Sequence, residues 1–145
     1  MLKGIPAIIP PELLCLLSEM GHGDELTIGD ANFPAHTCCD RVVRMDGHSV
    51  PEILDAVLKL SPLDRYVDHP VSLMQVVPGD TVETPIWDTY REIIKKYDDR
   101  EDPIENIERF AFYDRVKEKS SFVIMSGETA LYANIILKKG VITPE

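Results

Sequence analysis

Hydrophobic residues recur at two different spacings along this chain, and the alternation of the two predicts the fold class. Steps of three and four residues, which put apolar side chains on one face of a helix, predict helices at 12–20, 49–60, 84–97 and 108–119. Short apolar runs between them predict strands at 26–29, 41–45, 71–77, 121–126 and 134–138. Helices that alternate with short strands are typical of α/β folds. We therefore expect residues 1–145 to form a single-domain layered sheet flanked by helices.

Three stretches carry more specific local signals. Ser49 and Glu52 have the spacing of a capping box, with Pro51 in the first turn of the helix. The run 71–77 is apolar enough to predict a central strand covered on both faces. The run 98–105 is dense in charge and predicts a solvent-exposed loop.

The charge, the apolar runs and the cysteine count indicate which partners the protein binds and in which compartment it is found. The chain has 25 acidic and 15 basic residues and a formal charge of -10, which disfavours binding to nucleic acid or to anionic membranes. Apolar runs stay well below the ~18 residues of a membrane span, and prolines interrupt the amino-terminal one. The odd count of three cysteines, two of them adjacent, does not fit a disulfide framework. We expect a cytoplasmic protein.

The sequence lacks the common cofactor and nucleophile motifs, including phosphate-binding, dinucleotide-binding, G-x-S-x-G and C-x-x-C signatures. A zinc site built on His36, Cys38, Cys39 and Asp40 would need a second group of ligands at matching spacing, and we see none. We therefore expect neither a cofactor nor a metal.

The stretch 20–36, MGHGDELTIGDANFPAH, holds two histidines and three acidic residues, a density of polar groups that is unlikely in a core. His22 lies in a turn before the predicted strand 26–29, and Asp30 follows its carboxyl end, where ligands gather in open α/β sheets. An imidazole can exchange a proton near neutral pH, so the two side chains could serve one cleft. His22 could instead cap a helix, and Asp30 could be a turn residue.

Four polar residues late in the chain are further candidates. Arg109 could bind a ligand or pair with a neighbouring glutamate, and Tyr113 could belong to an aromatic core stripe. Tyr132 and Asn134 are two residues apart at the start of a predicted strand, so their side chains should point to the same face.

Three separated motifs together resemble the L-fucose mutarotase family, the sister group of the D-ribose pyranases. They are the stretch 20–36, RFAFYDR at 109–115 and GETALYANIILKKGV at 127–141. The resemblance runs from PPELL at 10–14 to Gly140. It implies a ribose-pyranase/fucose-mutarotase-like fold and a cofactor-free isomerase that interconverts the α and β anomers of L-fucose, with pyranose/furanose exchange in some members.

The resemblance also implies roles for individual residues. His22 matches the proton donor of the M-G-H-G-D motif, and Asp30 matches a substrate ligand. Arg109 opens the R-F-x-F-Y motif and favours the fucose branch, because ribose pyranases tend to have histidine there. Tyr113 would then pack on the apolar face of the sugar.

The third motif implies that the segment Tyr132, Ala133 and Asn134 binds substrate. Two positions depart from the family pattern: Asn32 stands where relatives often have histidine, and Ala133 replaces a glycine. The resemblance further implies a ring-like homo-oligomer, a decamer, with sites between neighbouring subunits.

Three other functions remain open from the residues. The nearest is a D-ribose pyranase, and the second is a sugar-binding module without catalysis. The third is a metal-dependent hydrolase built on His22, His36, Cys38 and Cys39.

Overall fold

The amino-acid pattern folds into a six-stranded sheet with helices on both faces, as seen in a computed structural model that describes residues 1–144. The layered α/β prediction is confirmed. The helices are α1 (Pro11–Glu19), α2 (Ala35–Cys38), α3 (Val50–Leu60), α4 (Pro85–Lys95) and α5 (Arg109–Lys119). The strands are β1 (Glu25–Gly29), β2 (Val42–Met45), β3 (Val71–Met74), β4 (Ile104–Ile107), β5 (Ser120–Ser126) and β6 (Ile135–Lys138).

The direction of the strands decides which loops meet. The strand order is β2-β5-β1-β6-β3-β4. Strand β6 runs antiparallel to both β1 and β3, whereas all other neighbours are parallel. The carboxyl ends of five strands therefore lie at the same edge of the sheet as the amino end of β6. We call this edge the upper edge and the opposite one the lower edge.

Two apolar clusters fill the space on the two faces of the sheet. The larger one contains side chains of α1, α3 and α4, including Leu13, Leu54 and Tyr90. The smaller one contains side chains of α2 and α5, including Ala35 and Phe112. No helix within residues 1–144 is long and apolar enough to cross a membrane.

The structure confirms the capping box predicted for α3 and only part of the prediction for β3. The predicted capping box is present: the Ser49 hydroxyl accepts from the Glu52 N–H, and the Glu52 carboxylate accepts from the Ser49 N–H. Strand β3 is buried throughout, as predicted, but it ends at Met74. It also lies next to the edge strand β4 rather than at the centre of the sheet.

The prediction of an exposed loop at 98–105 is wrong in two respects. Its last two residues belong to β4, which pairs with β3. The carboxylate of Asp98 is buried, with 3% of its side chain exposed, and Arg100 binds it at 2.8 Å. The guanidinium of Arg100 also donates to the carbonyls of Asp64 and Val67, both at 2.9 Å. This charged run is therefore partly a structural clamp on residues 64–67.

Candidate functional site

Most of the candidate residues surround one open cleft at the upper edge of the sheet. Asp30 follows β1, Arg109 begins α5 just after β4, and Asn134 precedes β6. The strand directions bring these three connections together. The cleft has a volume of about 250 Å³ and is lined by Asp30, Asn32, Phe33, Met74, Val77, Asp80, Arg109, Tyr113, Leu131, Tyr132 and Asn134.

Asp30 is a buried carboxylate held by its own turn. Its Oδ1 accepts from the Asn32 N–H at 2.9 Å, and its N–H donates to Oδ1 of Asn134 at 2.7 Å. Burial raises the pKa of Asp30 above its usual value, and the charge of Glu128 acts in the same direction, against the hydrogen bonds. The turn interpretation is therefore correct for Asp30, and it is compatible with a place in the cleft.

The amide of Asn134 has a defined orientation. Because a backbone N–H donates to it, the atom at 2.7 Å from the Asp30 nitrogen must be the amide oxygen. Its NH₂ group is then left as a donor to other partners. Asn134 is 5% exposed and lines the cleft immediately before β6.

Tyr132 has an unusual backbone conformation. Its φ of 56° lies in the left-handed region, which costs a residue with a side chain about 1–2 kcal/mol. Its hydroxyl donates to Oδ2 of Asp80 at 2.7 Å and accepts from the Val77 N–H at 3.2 Å. The departure from the family pattern at Ala133 does not coincide with this strain, because the positive φ is at Tyr132. Ala133 is fully buried.

Arg109 and Tyr113 lie one turn apart at the start of α5. In the part of the chain that the structure describes, Arg109 makes no salt bridge, and its guanidinium carbon lies 5.0 Å from the centre of the Phe110 ring. The alternative pairing with a neighbouring glutamate is thus not seen. Tyr113 lies 5.9 Å from Phe33, ring centre to ring centre, and both rings line the cleft.

His22 lies at the lower edge of the sheet, away from this cleft. At about 3.3 Å per residue in a strand, the ends of the segment 24–30 are roughly 20 Å apart. The expectation that His22 and Asp30 face the same cleft is therefore wrong within one chain, because β1 separates them. His22 is not a helix cap either, since α1 ends at Glu19 with Met20 as its cap.

The imidazole of His22 is paired with a carboxylate that the sequence did not indicate. Its Nε2 lies 2.9 Å from Oδ1 of Asp64; the side chains of His22 and Asp64 are 45% and 4% exposed. Burial acts to raise the pKa of Asp64, but the hydrogen bonds from Tyr66 N–H and His22 outweigh it and lower the pKa. An ionised carboxylate only accepts, so Nε2 carries the proton and Nδ1 is left to exchange one. The pairing spans 42 residues, and no local motif marks it.

The residues of the metal-site alternative are dispersed. His36 lies 3.4 Å from the Arg44 guanidinium, Cys38 is buried in the smaller core, and Cys39 contacts backbone carbonyls of β5. Among residues 1–144, no three or more histidine, cysteine or acidic side chains are arranged to hold a metal ion.

The fold and the cleft define a class: a small mixed α/β protein with an open cleft lined by a carboxylate, a guanidinium and aromatic rings. The chain belongs to the RbsD / FucU transport protein family, whose model matches residues 3–142. The resemblance described from the motifs is thereby confirmed at the level of the family.

Individual relatives match along nearly the whole chain. The fucose mutarotase of Danio rerio is 49% identical, over 99% of this chain and 96% of its own. FucU of Bifidobacterium longum is 59% identical with a TM-score of 0.95, over 97% of this chain and 100% of that one. The fucose mutarotase of Streptococcus pneumoniae, solved in complex with L-fucose, is 47% identical with a TM-score of 0.92, over 98% and 100%.

Proposed function

We propose that this protein is an isomerase that interconverts the α and β anomers of L-fucose without a cofactor. The observation that carries the proposal is that a fucose mutarotase solved with L-fucose matches 98% of this chain. The relatives described above favour fucose over ribose as the substrate, because those named for an activity are named fucose mutarotases.

The reaction needs only acid–base groups and a means of holding the sugar. A proton leaves the anomeric hydroxyl, another reaches the ring oxygen, and the bond between C1 and the ring oxygen breaks. Rotation about the C1–C2 bond of the open aldehyde and reversal of these steps give the other anomer. A positioned acid or base accelerates such proton transfers about 10²–10⁴-fold. Nδ1 of His22 can take the proton from the anomeric hydroxyl and give it to the ring oxygen, so one imidazole serves as both the base and the proton donor.

The cleft residues would bind the sugar rather than react with it. The carboxylate of Asp30, the NH₂ group of Asn134 and the guanidinium of Arg109 can bind hydroxyl groups. The hydroxyl of Tyr132 adds a further contact, and any contact from Ala133 must come from its backbone. Tyr113 offers an aromatic face to the apolar side of the ring.

We propose that the complete site forms between two subunits. Within one chain His22 and Asp30 lie beyond opposite ends of β1, so a neighbour must bring its imidazole to this cleft. Exposed aromatic and aliphatic side chains next to both halves support such contacts: Tyr66 beside His22 is 81% exposed, and Phe110 and Leu131 beside the cleft are 64% and 55% exposed. We therefore propose a ring-like homo-oligomer, which would be a decamer as the family resemblance implies. We also propose that it is located in the cytoplasm.

The direct test is exchange between the two anomers of L-fucose, measured by NMR saturation transfer. We expect the parent protein to accelerate the exchange and His22→Ala to reduce this acceleration by about 100-fold or more. His48→Gln is the matched control, because it changes a half-buried histidine whose ring pairs with Glu52, away from the cleft and from His22. We expect it to exchange at the parental rate.

Two outcomes would contradict the proposal. A His22→Ala protein that exchanges L-fucose as fast as the parent removes His22 from the mechanism. Sugar binding by the parent without any acceleration would instead identify a non-catalytic sugar-binding module. A panel of L-fucose, D-ribose and D-galactose in the same assay separates a fucose mutarotase from a ribose pyranase.

A further inference from the structure

Two aromatic side chains of helix α4 donate hydrogen bonds to the backbone of residues 132–133, next to the cleft. The indole N–H of Trp87 donates to the carbonyl of Tyr132 at 2.8 Å. One turn later, the hydroxyl of Tyr90 donates to the carbonyl of Ala133 at 2.6 Å. Residues three apart lie on the same face of a helix, so one face of α4 holds two successive carbonyls.

These two hydrogen bonds act where the backbone is strained. A left-handed conformation at a tyrosine persists only when its surroundings hold it, and φ at Tyr132 is 56°. The bonds from Trp87 and Tyr90 fix the peptide groups on the carboxyl side of that residue. Asn134 follows Ala133, and its amide oxygen accepts from the backbone N–H of Asp30.

We propose that Trp87 and Tyr90 are positioning residues that hold Tyr132 and Asn134 in the geometry that binds the sugar. Neither residue lines the cleft, so each acts through a backbone carbonyl. The inference rests on the proposed function, because it takes the cleft as the site where the sugar binds. It adds two determinants of affinity that lie outside the cleft.

The test removes each donor while keeping an aromatic ring. In Tyr90→Phe and Trp87→Phe we expect KM for L-fucose to rise about tenfold, because the segment loses its defined conformation. A merely structural role would lower stability without changing KM of the folded protein. Two separate variants keep the test valid if Tyr90→Phe, which alters a fully buried residue, fails to fold.

Tyr97→Phe is the matched control. Tyr97 follows the same helix, and its hydroxyl donates to Asp55 on α3 at 2.8 Å. Removing this hydroxyl deletes a hydrogen bond of the same kind near the other end of α4. We expect the parental KM for L-fucose in this variant.

A second readout does not depend on catalysis. The one-bond Cα–Hα coupling of Tyr132 in the NMR spectrum differs between left-handed and right-handed backbone, and we expect it to change in Tyr90→Phe or Trp87→Phe but not in Tyr97→Phe. An unchanged coupling and an unchanged KM in both variants would overturn the positioning role. A parent protein that does not accelerate anomer exchange would overturn the proposed function, whereas the coupling would still decide whether these residues hold Tyr132.

Discussion

At the scale of single residues, the cleft contains a carboxylate, Asp30, whose burial destabilises the folded protein when the group is ionised. Asp30 is 8% exposed, and burial raises its pKa. The folded state therefore holds the proton of this carboxyl more tightly than the unfolded chain does. At pH values above the raised pKa, the ionised group destabilises the folded state.

Asp30→Asn should consequently stabilise the protein while weakening the enzyme. At neutral pH we expect the free energy of unfolding to rise by up to about 1 kcal/mol, because the neutral amide keeps an oxygen for the Asn32 N–H. This gain should shrink as the pH falls through the raised pKa. Anomer exchange should fall, since an acceptor of sugar hydroxyls is lost. Urea unfolding at several pH values measures the effect, and an equal or lower stability of Asp30→Asn at neutral pH would contradict it.

At the scale of elements, the loop that carries Asp64 depends on a clamp from the charged run. Arg100 donates to the carbonyls of Asp64 and Val67 while it pairs with Asp98. Burial acts to raise the pKa of Asp98, but the hydrogen bonds and charge of Arg100 outweigh it and lower the pKa. Asp98 thus contributes stability at pH values above its ordinary 3.8, and this contribution is lost as the pH falls through the lowered value.

We expect Asp98→Asn to reduce the free energy of unfolding by about 1–3 kcal/mol at neutral pH, because Arg100 loses its charged partner. The difference from the parent should disappear in acid. The neighbouring variant Asp99→Asn is the control, since Asp99 and its partner Arg65 are both exposed and such pairs contribute little. Equal losses in Asp98→Asn and Asp99→Asn, measured by urea unfolding, would show that the clamp has no special role.

Helix α3, strand β4 and the charged run show how far the sequence can predict the elements of this fold. Helical spacing and a capping box predicted α3 closely, because both signals are local. Strand β4 was missed since only two of its four residues, Ile104 and Ile107, are apolar, and it lies among charges. The burial of Asp98 was not predicted either, because Arg100, which pairs with it, is held by carbonyls more than thirty residues away.

The sequence predicted several of the residues of the candidate site, but it did not predict how the fold arranges them in space. The motifs indicated many of the residues that line the cleft, including Asp30, Arg109 and Asn134, but Met74, Val77 and Asp80 lie outside them. Their meeting at one edge depends on β6 running against its neighbours, and strand order cannot be read from hydrophobic spacing. The sequence did not predict the pairing of His22 with Asp64 either, because Asp64 lies in a loop 42 residues away.

At the scale of the whole molecule, one chain holds the two halves of the proposed site at opposite edges of its sheet. The imidazole of His22 is held by Asp64 at the lower edge, and the sugar-binding groups line the cleft at the upper edge. Within a ring, each subunit repeats the same head-to-tail contact with the next one. Such a ring can therefore join the lower edge of each subunit to the cleft of the next.

Subunit complementation tests this account most directly. His22→Ala and Asp30→Asn proteins, each of which we expect to lose most of the exchange activity, are co-expressed with different tags. They are purified as mixed oligomers, whose size is checked by light scattering. If each site takes His22 from one chain and Asp30 from another, random mixing of equal amounts leaves about a quarter of the sites intact. We predict that the mixed oligomers regain about a quarter of the parental anomer exchange of L-fucose. Mixed oligomers that are no more active than the His22→Ala and Asp30→Asn proteins alone would contradict a site shared between subunits.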